Sequence, residues 1–243
     1  MTRLSIIVPT RAIDPAILAR ARANAVRAGA DELILVEPDD LRVGPIPTLA
    51  PGWRHIRAPR GRGSQCSRGA EAAHGELLMV LHDDTDLPED AGQVITEAFA
   101  DPDVGMTCFR LRFDRRHWLL GLYSAWSRIE SPLTTFGDQA MVIRRSIYDT
   151  VGGMPDWPLF EDVDLARRVR RASRIRKLAA SVTTSAVRFT EKGLLRQQLS
   201  NGVLLARFLL GGSPRRLAEI YERQGTATRE PPRPSLHSTE ARP

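Results

Sequence analysis

Short apolar runs alternate with helix-forming segments along the first part of the chain. Leu4 to Val8 and Leu33 to Val36 are the first two runs, and Pro15 to Ala28 between them has a helical composition. Runs of this length without polar alternation are typical of strands that are buried on both faces of a sheet. The order strand, helix, strand predicts a parallel α/β sheet.

Further segments extend this series. The sequence predicts a strand at Trp53 to Ile56, a helix at Ser64 to His74, a helix at Asp90 to Ala100 and a strand at Val104 to Phe113. Ser64 has the side chain of a helix N-cap, and Gly75 is the residue type that ends a helix. The pattern as a whole predicts an α/β fold with a mostly parallel central sheet flanked by helices.

The apolar run from Leu77 to Leu81 ends abruptly in the acidic segment His82-Asp83-Asp84-Thr85-Asp86. Ligands of open α/β sheets collect outside the carboxyl ends of the strands, where carboxylates can hold Mg²⁺ against a diphosphate. The same residues also suit a turn, because Asp favours turns and Pro88 can occupy the first position of the next helix. Taken alone, the segment leaves both interpretations open.

A second acidic segment, Glu161-Asp162-Val163-Asp164, begins a helix that continues into arginines from Arg167 onward. Acids at the start and bases at the end of a helix complement its dipole, which is a structural interpretation. An anchored acid at a helix start is also well placed to act as a general base. Upstream, Gly137-Asp138-Gln139 leads into a buried strand, and Gly152-Gly153-Met154-Pro155 predicts a loop that returns the acids over the sheet.

Composition bounds the class of protein. The 243 residues are 42% hydrophobic and 26% charged, as in a soluble globular protein, and the net charge of +6 suits phosphorylated ligands, anionic membranes or nucleic acid. Cys66 and Cys108 lack the spacing of a zinc site or a disulfide framework, which fits reduced thiols in the cytoplasm.

No segment reaches the roughly 20 apolar residues that span a bilayer. Residues 1–222 are expected to form the folded domain, and the Pro- and Arg-rich residues 223–243 a disordered tail.

The order and spacing of these segments resemble the family 2 inverting glycosyltransferases, which have the GT-A fold. The matching segments are Ser5 to Pro9, Arg60-Gly61-Arg62-Gly63 leading to Gly69, Leu81 to Thr85, Gly137 to Ala140, and Gly152-Gly153-Met154-Pro155 followed by Glu161-Asp162. The chain is most similar to a small bacterial branch whose metal motif begins with His and which includes carotenoid-type and arsenosugar-associated glycosyltransferases. The resemblance implies metal-assisted transfer of a sugar, with inversion, from a nucleotide diphosphate to an acceptor hydroxyl.

The resemblance also implies roles for individual residues. Asp84 would hold Mg²⁺ or Mn²⁺ on the donor diphosphate, with His82 in the place of the motif's first acid and Asp86 in support. Asp162 would be the catalytic base, with Glu161 beside it. The expected substrate-binding residues are Pro9, Glu37, Arg62, Asp83, Asp138, Gln139 and Arg188.

Two segments depart from the family pattern. Thr10-Arg11-Ala12 follows Pro9 where many members have Asn-Glu, and Glu37-Pro38-Asp39-Asp40 stands where an Asp and a Gly-Ser turn contact the nucleotide. Glu37 is the candidate replacement for that Asp. The identity of the nucleotide therefore stays open.

The expected partners are a nucleotide-sugar donor and a small-molecule or lipid-type acceptor, without nucleic acid. Trp118 and Trp126 lie in a predicted helix from His117 to Ile129, for which a core position is favoured over a place beside a pocket or an apolar partner. Leu194 to Leu210 is expected to pack on the sheet, with peripheral contact to the inner face of the cell membrane as the alternative.

Two other functions fit parts of the pattern. A haloacid-dehalogenase-type phosphatase is suggested by Asp84-Thr85-Asp86, although the nucleophile motif of those enzymes usually lies on the first strand. A basic module that binds nucleic acid or anionic lipid is suggested by the net charge and by the arginines between Arg167 and Arg176.

Overall fold

The computed structural model describes residues 2–40, 49–115, 117–185 and 194–226. Arg188 and residues 227–243 of the predicted tail lie outside the described residues. The strands are β1 (Leu4–Pro9), β2 (Glu32–Pro38), β3 (Trp53–Ala58), β4 (Leu77–Val80), β5 (Thr85–Asp86), β6 (Val104–Phe113), β7 (Met141–Arg144) and β8 (Arg174–Thr184). The helices are α1 (Pro15–Ala28), α2 (Arg62–Ala72), α3 (Ala91–Phe99), α4 (Trp118–Trp126), α5 (Arg145–Thr150), α6 (Glu161–Ala172), α7 (Leu194–Leu209) and α8 (Pro214–Thr226), and a 3₁₀ turn spans Gly137–Gln139.

The strands form one sheet in the order β3-β2-β1-β4-β7-β6-β8-β5. Strands β3, β2, β1 and β4 run parallel to one another, and β6 runs parallel to β8. Strand β7 is antiparallel to both of its neighbours, β4 and β6, and the short β5 is antiparallel to β8. The predicted mostly parallel sheet is therefore confirmed.

Helices cover both faces of this sheet. On one face, Ile6 and Met79 belong to a buried cluster with residues of α1, α3 and α4. On the other face, Ile7 and Leu78 belong to a second cluster with residues of α2, α5 and α6. Successive residues of β1 and β4 thus face opposite cores, which is why their sequences are apolar throughout rather than alternating.

Several element bounds differ from those predicted. Helix α1 and strand β6 have the predicted limits, whereas α2 begins at Arg62. The prediction that Ser64 caps α2 is wrong, because the Ser64 hydroxyl donates instead to the Asp156 carboxylate. Helix α3 begins at Ala91, so Pro88 is not its first residue.

The later helices also refine the expectations. In α4 the buried residue is Leu120, while Trp118 and Trp126 are exposed, so the core position favoured for the helix is wrong for both tryptophans. Helix α8 ends at Thr226, so residues 223–226 are helical. None of the helices in the described ranges combines the length and the hydropathy needed to cross a bilayer.

Asn24 ties α1 to the loop after β4, and its removal is expected to destabilise the protein. The buried Asn24 Nδ2 donates to the Thr85 carbonyl (2.8 Å), and the Leu87 amide donates to Asn24 Oδ1 (2.8 Å). We predict that Asn24→Ala lowers the free energy of unfolding by about 2–4 kcal/mol, because two backbone groups lose their partners. Urea unfolding measures this change.

The control for this prediction is Val26→Ala, at a position of the same helix that is 78% exposed. This substitution should change the free energy of unfolding by no more than about 0.5 kcal/mol. Equal unfolding midpoints for the two variants would contradict the role assigned to Asn24.

Candidate active site

Two loops meet at the carboxyl edge of the sheet because β7 runs antiparallel to β4. Val80, the last residue of β4, pairs with Met141, the first residue of β7. The segment from His82 to Asp86, which ends in the short β5, follows β4, and the turn Gly137–Gln139 precedes β7. The two segments therefore lie at the same edge, where ligands of open α/β sheets bind.

Polar contacts from the start of the chain fix the loop after β4. The Thr10 hydroxyl donates to Asp83 Oδ2 (2.7 Å), and Arg20 Nη1 donates to the Asp83 carbonyl (3.0 Å). Thr10 directly follows Pro9, the last residue of β1. Asp83 is thus tied to the end of the neighbouring strand.

The remaining acids of this loop have different surroundings. Asp86 lies 3.4 Å from Arg20 Nε and 4.0 Å from Arg27 Nη1, so α1 supplies its counter-charge. Asp84 is half-buried and accepts a long hydrogen bond from Thr85 Oγ1 (3.5 Å). Of the three carboxylates, Asp84 is the one whose oxygens are best placed to take a ligand.

Gln65, which sequence analysis missed, joins the ends of β1 and β2. Its buried Nε2 donates to the carbonyls of Thr10 (2.8 Å) and Val36 (2.6 Å). An amide inside a helix gives no signal of such a role in a single sequence. Its contacts fix the ends of β1 and β2 relative to each other at the edge where the nucleotide contacts were expected.

Glu37, the expected nucleotide contact, has protein partners on both oxygens. The Ile13 amide donates to Oε1 (2.5 Å), and His55 Nε2 lies 2.8 Å from Oε2. These contacts place Glu37 between the loop after β1 and strand β3.

Arg62 connects the two acidic segments. Its Nε donates to Glu161 Oε1, its Nη1 lies 3.0 Å from His82 Nε2, and its Nη2 lies 3.5 Å from Asp162 Oδ2. Burial opposes the charged guanidinium, but the two carboxylates more than compensate and raise the pKa of Arg62. Gly63, the next residue, packs directly against the loop before α6, where a Cβ would lie 2.2 Å from the Pro155 carbonyl oxygen.

Glu161 and Asp162 begin α6 and are 1% and 5% exposed. Burial raises the pKa of Glu161, while the charge of Arg62 opposes this shift. The preceding residue, Phe160, has φ of 65°, a left-handed conformation that is unfavourable for an aromatic side chain. The backbone thus turns sharply to deliver both acids to the site.

Asp162 also contacts the turn before β7. The Gly137 amide donates to Asp162 Oδ2 (2.6 Å), and the Val163 amide donates to Oδ1 (2.8 Å). A Cβ at position 137 would lie 2.9 Å from Asp162 Oδ2 and 3.3 Å from His82 Nε2. Only glycine allows this approach without displacing a site residue.

Asp138 is an acid with a strongly perturbed ionisation. Burial, followed by the negative charges of Asp162 and Asp84, raises the pKa of Asp138 to about 7, although Arg62 and Lys177 oppose the shift. Its Oδ1 is buried and has no hydrogen-bond partner in the described structure. Perturbed acids of this kind are common at functional sites.

Gln139, the neighbour of Asp138, is buried and bonded within the protein. Its Nε2 donates to the Thr134 carbonyl (2.8 Å), and Lys177 donates to its Oε1. These bonds hold the turn in place. Arg188 was also expected here and lies outside the described residues.

The donor set fits a divalent cation that is shared with a phosphate ligand. In the described part of the chain, no three His, Cys, Asp or Glu side chains lie together as ligands of one metal ion. Mg²⁺ at phosphate-binding sites usually takes one or two protein carboxylates and completes its shell with phosphate oxygens and water. Asp84 can supply such a carboxylate, and the unpartnered Oδ1 of Asp138 and the like charges around it favour a cation nearby.

Comparison with known proteins gives no match at the level of sequence. No protein-family model and no curated protein matches the chain. Solved structures do match. One is the mannosyltransferase PcManGT from Pyrobaculum calidifontis in complex with GDP-Man and Mn²⁺, with a TM-score of 0.61 and 15% identity over 93% of this chain.

Two further solved structures are GalNAc-T7 with UDP, GalNAc and Mn²⁺ (TM-score 0.55, 12% identity, 76% of this chain) and S. aureus TarS 1–349 (TM-score 0.54, 12% identity, 83% of this chain). This chain spans 70% of PcManGT, 44% of the GalNAc-T7 chain and 65% of the TarS chain. At these identities the likeness concerns the fold. The chain has the GT-A fold, as the resemblance implied.

The raised pKa of Asp138 predicts a pH-dependent stability. The pKa in the folded protein lies above its unfolded value, so the stabilising effect of the protonated acid is complete below about pH 4 and is lost as the pH rises through about 7. The side chain of the Asp138→Asn variant does not ionise, so its stability does not fall in this way as the pH rises. At pH 8 the variant should be more stable than the wild type by about 2–4 kcal/mol, and the difference should shrink toward zero near pH 4.

Urea unfolding at several pH values with a metal chelator measures this effect. Asp149→Asn, which removes an exposed acid of α5, is the control and should show no such trend. A difference between Asp138→Asn and the wild type that stays constant with pH would contradict the predicted ionisation.

Proposed function

We propose that this protein is a glycosyltransferase that moves a sugar from a nucleotide diphosphate to an acceptor hydroxyl, with inversion and with the help of Mg²⁺ or Mn²⁺. The observation that carries the proposal is the convergence of Asp84, Asp138 and Asp162 at the carboxyl edge of a GT-A sheet. Two of the structures with this fold contain a nucleotide or nucleotide sugar together with Mn²⁺. Their contents support a donor of the same class here.

Asp84 is assigned to the metal on the donor diphosphate. A bound divalent cation would neutralise the charge that develops on the leaving diphosphate. His82 and Asp86 are assigned to support: His82 lies against Arg62, and Asp86 is held by Arg20 and Arg27. At the nucleotide end, Pro9, Glu37 and Asp83 are the proposed contacts, with Arg188 at the diphosphate.

Asp162 is assigned as the base. It takes the proton of the acceptor hydroxyl while that oxygen bonds to the anomeric carbon and the bond from this carbon to the diphosphate oxygen breaks. Attack from the face opposite the leaving group inverts the configuration. The amides of Gly137 and Val163 hold the carboxylate in one orientation, and the Arg62 guanidinium lies beside both Asp162 and Glu161 as their counter-charge. Asp138 and Gln139 line the place proposed for the sugars.

A nucleotide-binding experiment tests the metal assignment. We predict that at least one of GDP-mannose, UDP-sugars and dTDP-sugars raises the thermal unfolding midpoint by several degrees in the presence of Mn²⁺, because a ligand of the folded state stabilises it. Asp84→Ala should abolish the rise. The control is Asp90→Ala, since Asp90 is exposed and makes no capping hydrogen bond. If none of these donors stabilises the wild type, the proposal fails.

Asp162→Asn tests the base. This variant should keep the metal-dependent thermal shift but lose at least 10²-fold in transfer, because general-base catalysis contributes about 10²–10⁴-fold. Nucleotide released from the stabilising donor, with a panel of prenol, alkyl glycoside and sugar acceptors, reports the rate. The anomeric coupling constant of the product, read by NMR, reports the stereochemistry. Turnover at the wild-type rate would remove Asp162 as the base, and a retained configuration would contradict inversion.

A further inference from the structure

An exposed apolar surface lies on α4 and the turns that follow it. We call it the tryptophan surface; its members are Trp118 (70% exposed), Leu122 (50%), Trp126 (59%), Ile129 (62%) and Leu133 (55%). Trp118, Leu122 and Trp126 recur every four residues and so share one side of the helix, whereas Leu120 faces the core. A cluster of exposed apolar side chains of this size marks an interaction site.

The tryptophan surface adjoins the acidic site. Strand β6 runs in the same direction as β4, since β7 is antiparallel to both, so α4 begins at the edge that holds Asp84. Tyr123 of α4 is partly buried, and its pKa is raised by burial and then by the charges of Asp138 and Asp162. A small cavity between α4 and the turn before β7 is lined by Trp126, Leu133, Phe136 and Gln139, among others. The surface thus continues inward to the neighbour of Asp138.

Basic residues lie beside the tryptophan surface: Arg112 and Arg115 line a pocket together with Trp118, and Arg128 lies two residues after Trp126. Between residues 110 and 133 of the described chain, the exposed Asp and Arg side chains are Arg112, Asp114, Arg115 and Arg128. Three cations therefore stand against one carboxylate, in a chain whose net charge is +6. This charge complements an anionic surface and disfavours a second copy of the same chain, because like charges would meet across such an interface.

A second apolar surface borders the other acidic segment. Phe208 of α7 stacks on Phe160 with ring centroids 4.8 Å apart, and Phe160 directly precedes Glu161. Nearby, Leu209 at the end of α7 and Leu210 just after it are 39% and 89% exposed. Apolar side chains thus reach solvent at both segments that form the site.

We infer that the tryptophan surface binds an anionic lipid bilayer and that the acceptor hydroxyl is carried by a lipid. Tryptophan side chains favour the level of the lipid headgroups, and arginines beside them attract anionic headgroups. Trp126 and Leu133 of this surface line the same small cavity as Gln139, which is proposed to line the place of the sugars. The bilayer contact follows from the tryptophan surface alone, whereas the lipid acceptor rests on the proposed function as a glycosyltransferase.

Vesicle sedimentation of the full chain tests the contact. The wild type should sediment with phosphatidylcholine vesicles that contain about 30% phosphatidylglycerol, less well at high salt, and with a blue shift of tryptophan emission. Trp118→Ser combined with Trp126→Ser should weaken binding about tenfold or more. Arg112→Gln combined with Arg128→Gln should weaken it by about fivefold for each arginine removed. Val26→Ser, an equally exposed apolar position on α1, is the matched control and should bind as the wild type does.

Two measurements separate this inference from the proposed function. Asp84→Ala should bind vesicles like the wild type, and the double tryptophan variant should keep the metal-dependent thermal shift with the stabilising donor. The inference is overturned if the wild type does not bind anionic vesicles, or if the double tryptophan variant binds them equally well. It is also overturned if light scattering finds a wild-type dimer that this variant dissociates while vesicle binding is absent.

Discussion

The site depends on the electrostatic interaction of the Arg62 guanidinium with the two buried acids Glu161 and Asp162. Glu161 and Asp162 are adjacent, buried and of like charge, an arrangement that costs several kcal/mol per ion without a counter-charge. The Arg62 guanidinium bonds to Glu161, lies beside Asp162 and reaches His82 in the loop after β4. One side chain from α2 therefore fixes the position of both acidic segments relative to each other. A lysine could not replace it, because a single ammonium group lacks the planar set of donors that meets three partners at once.

The reversal of β7 is the constraint that brings Asp138 into the site. If β7 ran parallel to β4, the turn that carries Asp138 would lie at the opposite edge of the sheet. Its antiparallel pairing places that turn against Asp162, and the contact is close enough to require glycine at position 137. Ala140 and Phe160 have positive φ values of 49° and 65°, and each adjoins one of the site's segments. Residues with an unfavourable backbone conformation thus lie next to the segments that carry the acids, as is common at functional sites.

Local features of the sequence predicted the elements, whereas the connections between distant segments could not be predicted. The run from Leu77 to Leu81 predicted a buried strand, because an uninterrupted apolar run is a local signal of burial. Nothing in Met141 to Arg144 encodes the direction of β7, since strand periodicity is the same in both directions. The side chains of Gln65 and Asn24 donate hydrogen bonds to backbone carbonyls that are far away in the sequence. The Ser64 hydroxyl donates to Asp156 and does not cap its own helix. The exposure of Trp118 and Trp126 was missed for a related reason: an apolar helix in a sequence looks the same whether a core or another partner covers it.

Two buried acceptors in the site have no donor in the described structure, Asp138 Oδ1 and Glu161 Oε2. Each such group costs about 1–3 kcal/mol, so the fold bears a penalty at this site. Sugars are dense in hydroxyl donors, and a bound sugar could satisfy acceptors of this kind without any change in the backbone. The penalty would then be relieved in the complex rather than in the free protein, which would favour ligands that donate hydrogen bonds. An apolar ligand of the same size would leave both oxygens without a hydrogen bond. This difference in hydrogen bonding, more than shape, would discriminate between a sugar and an apolar ligand.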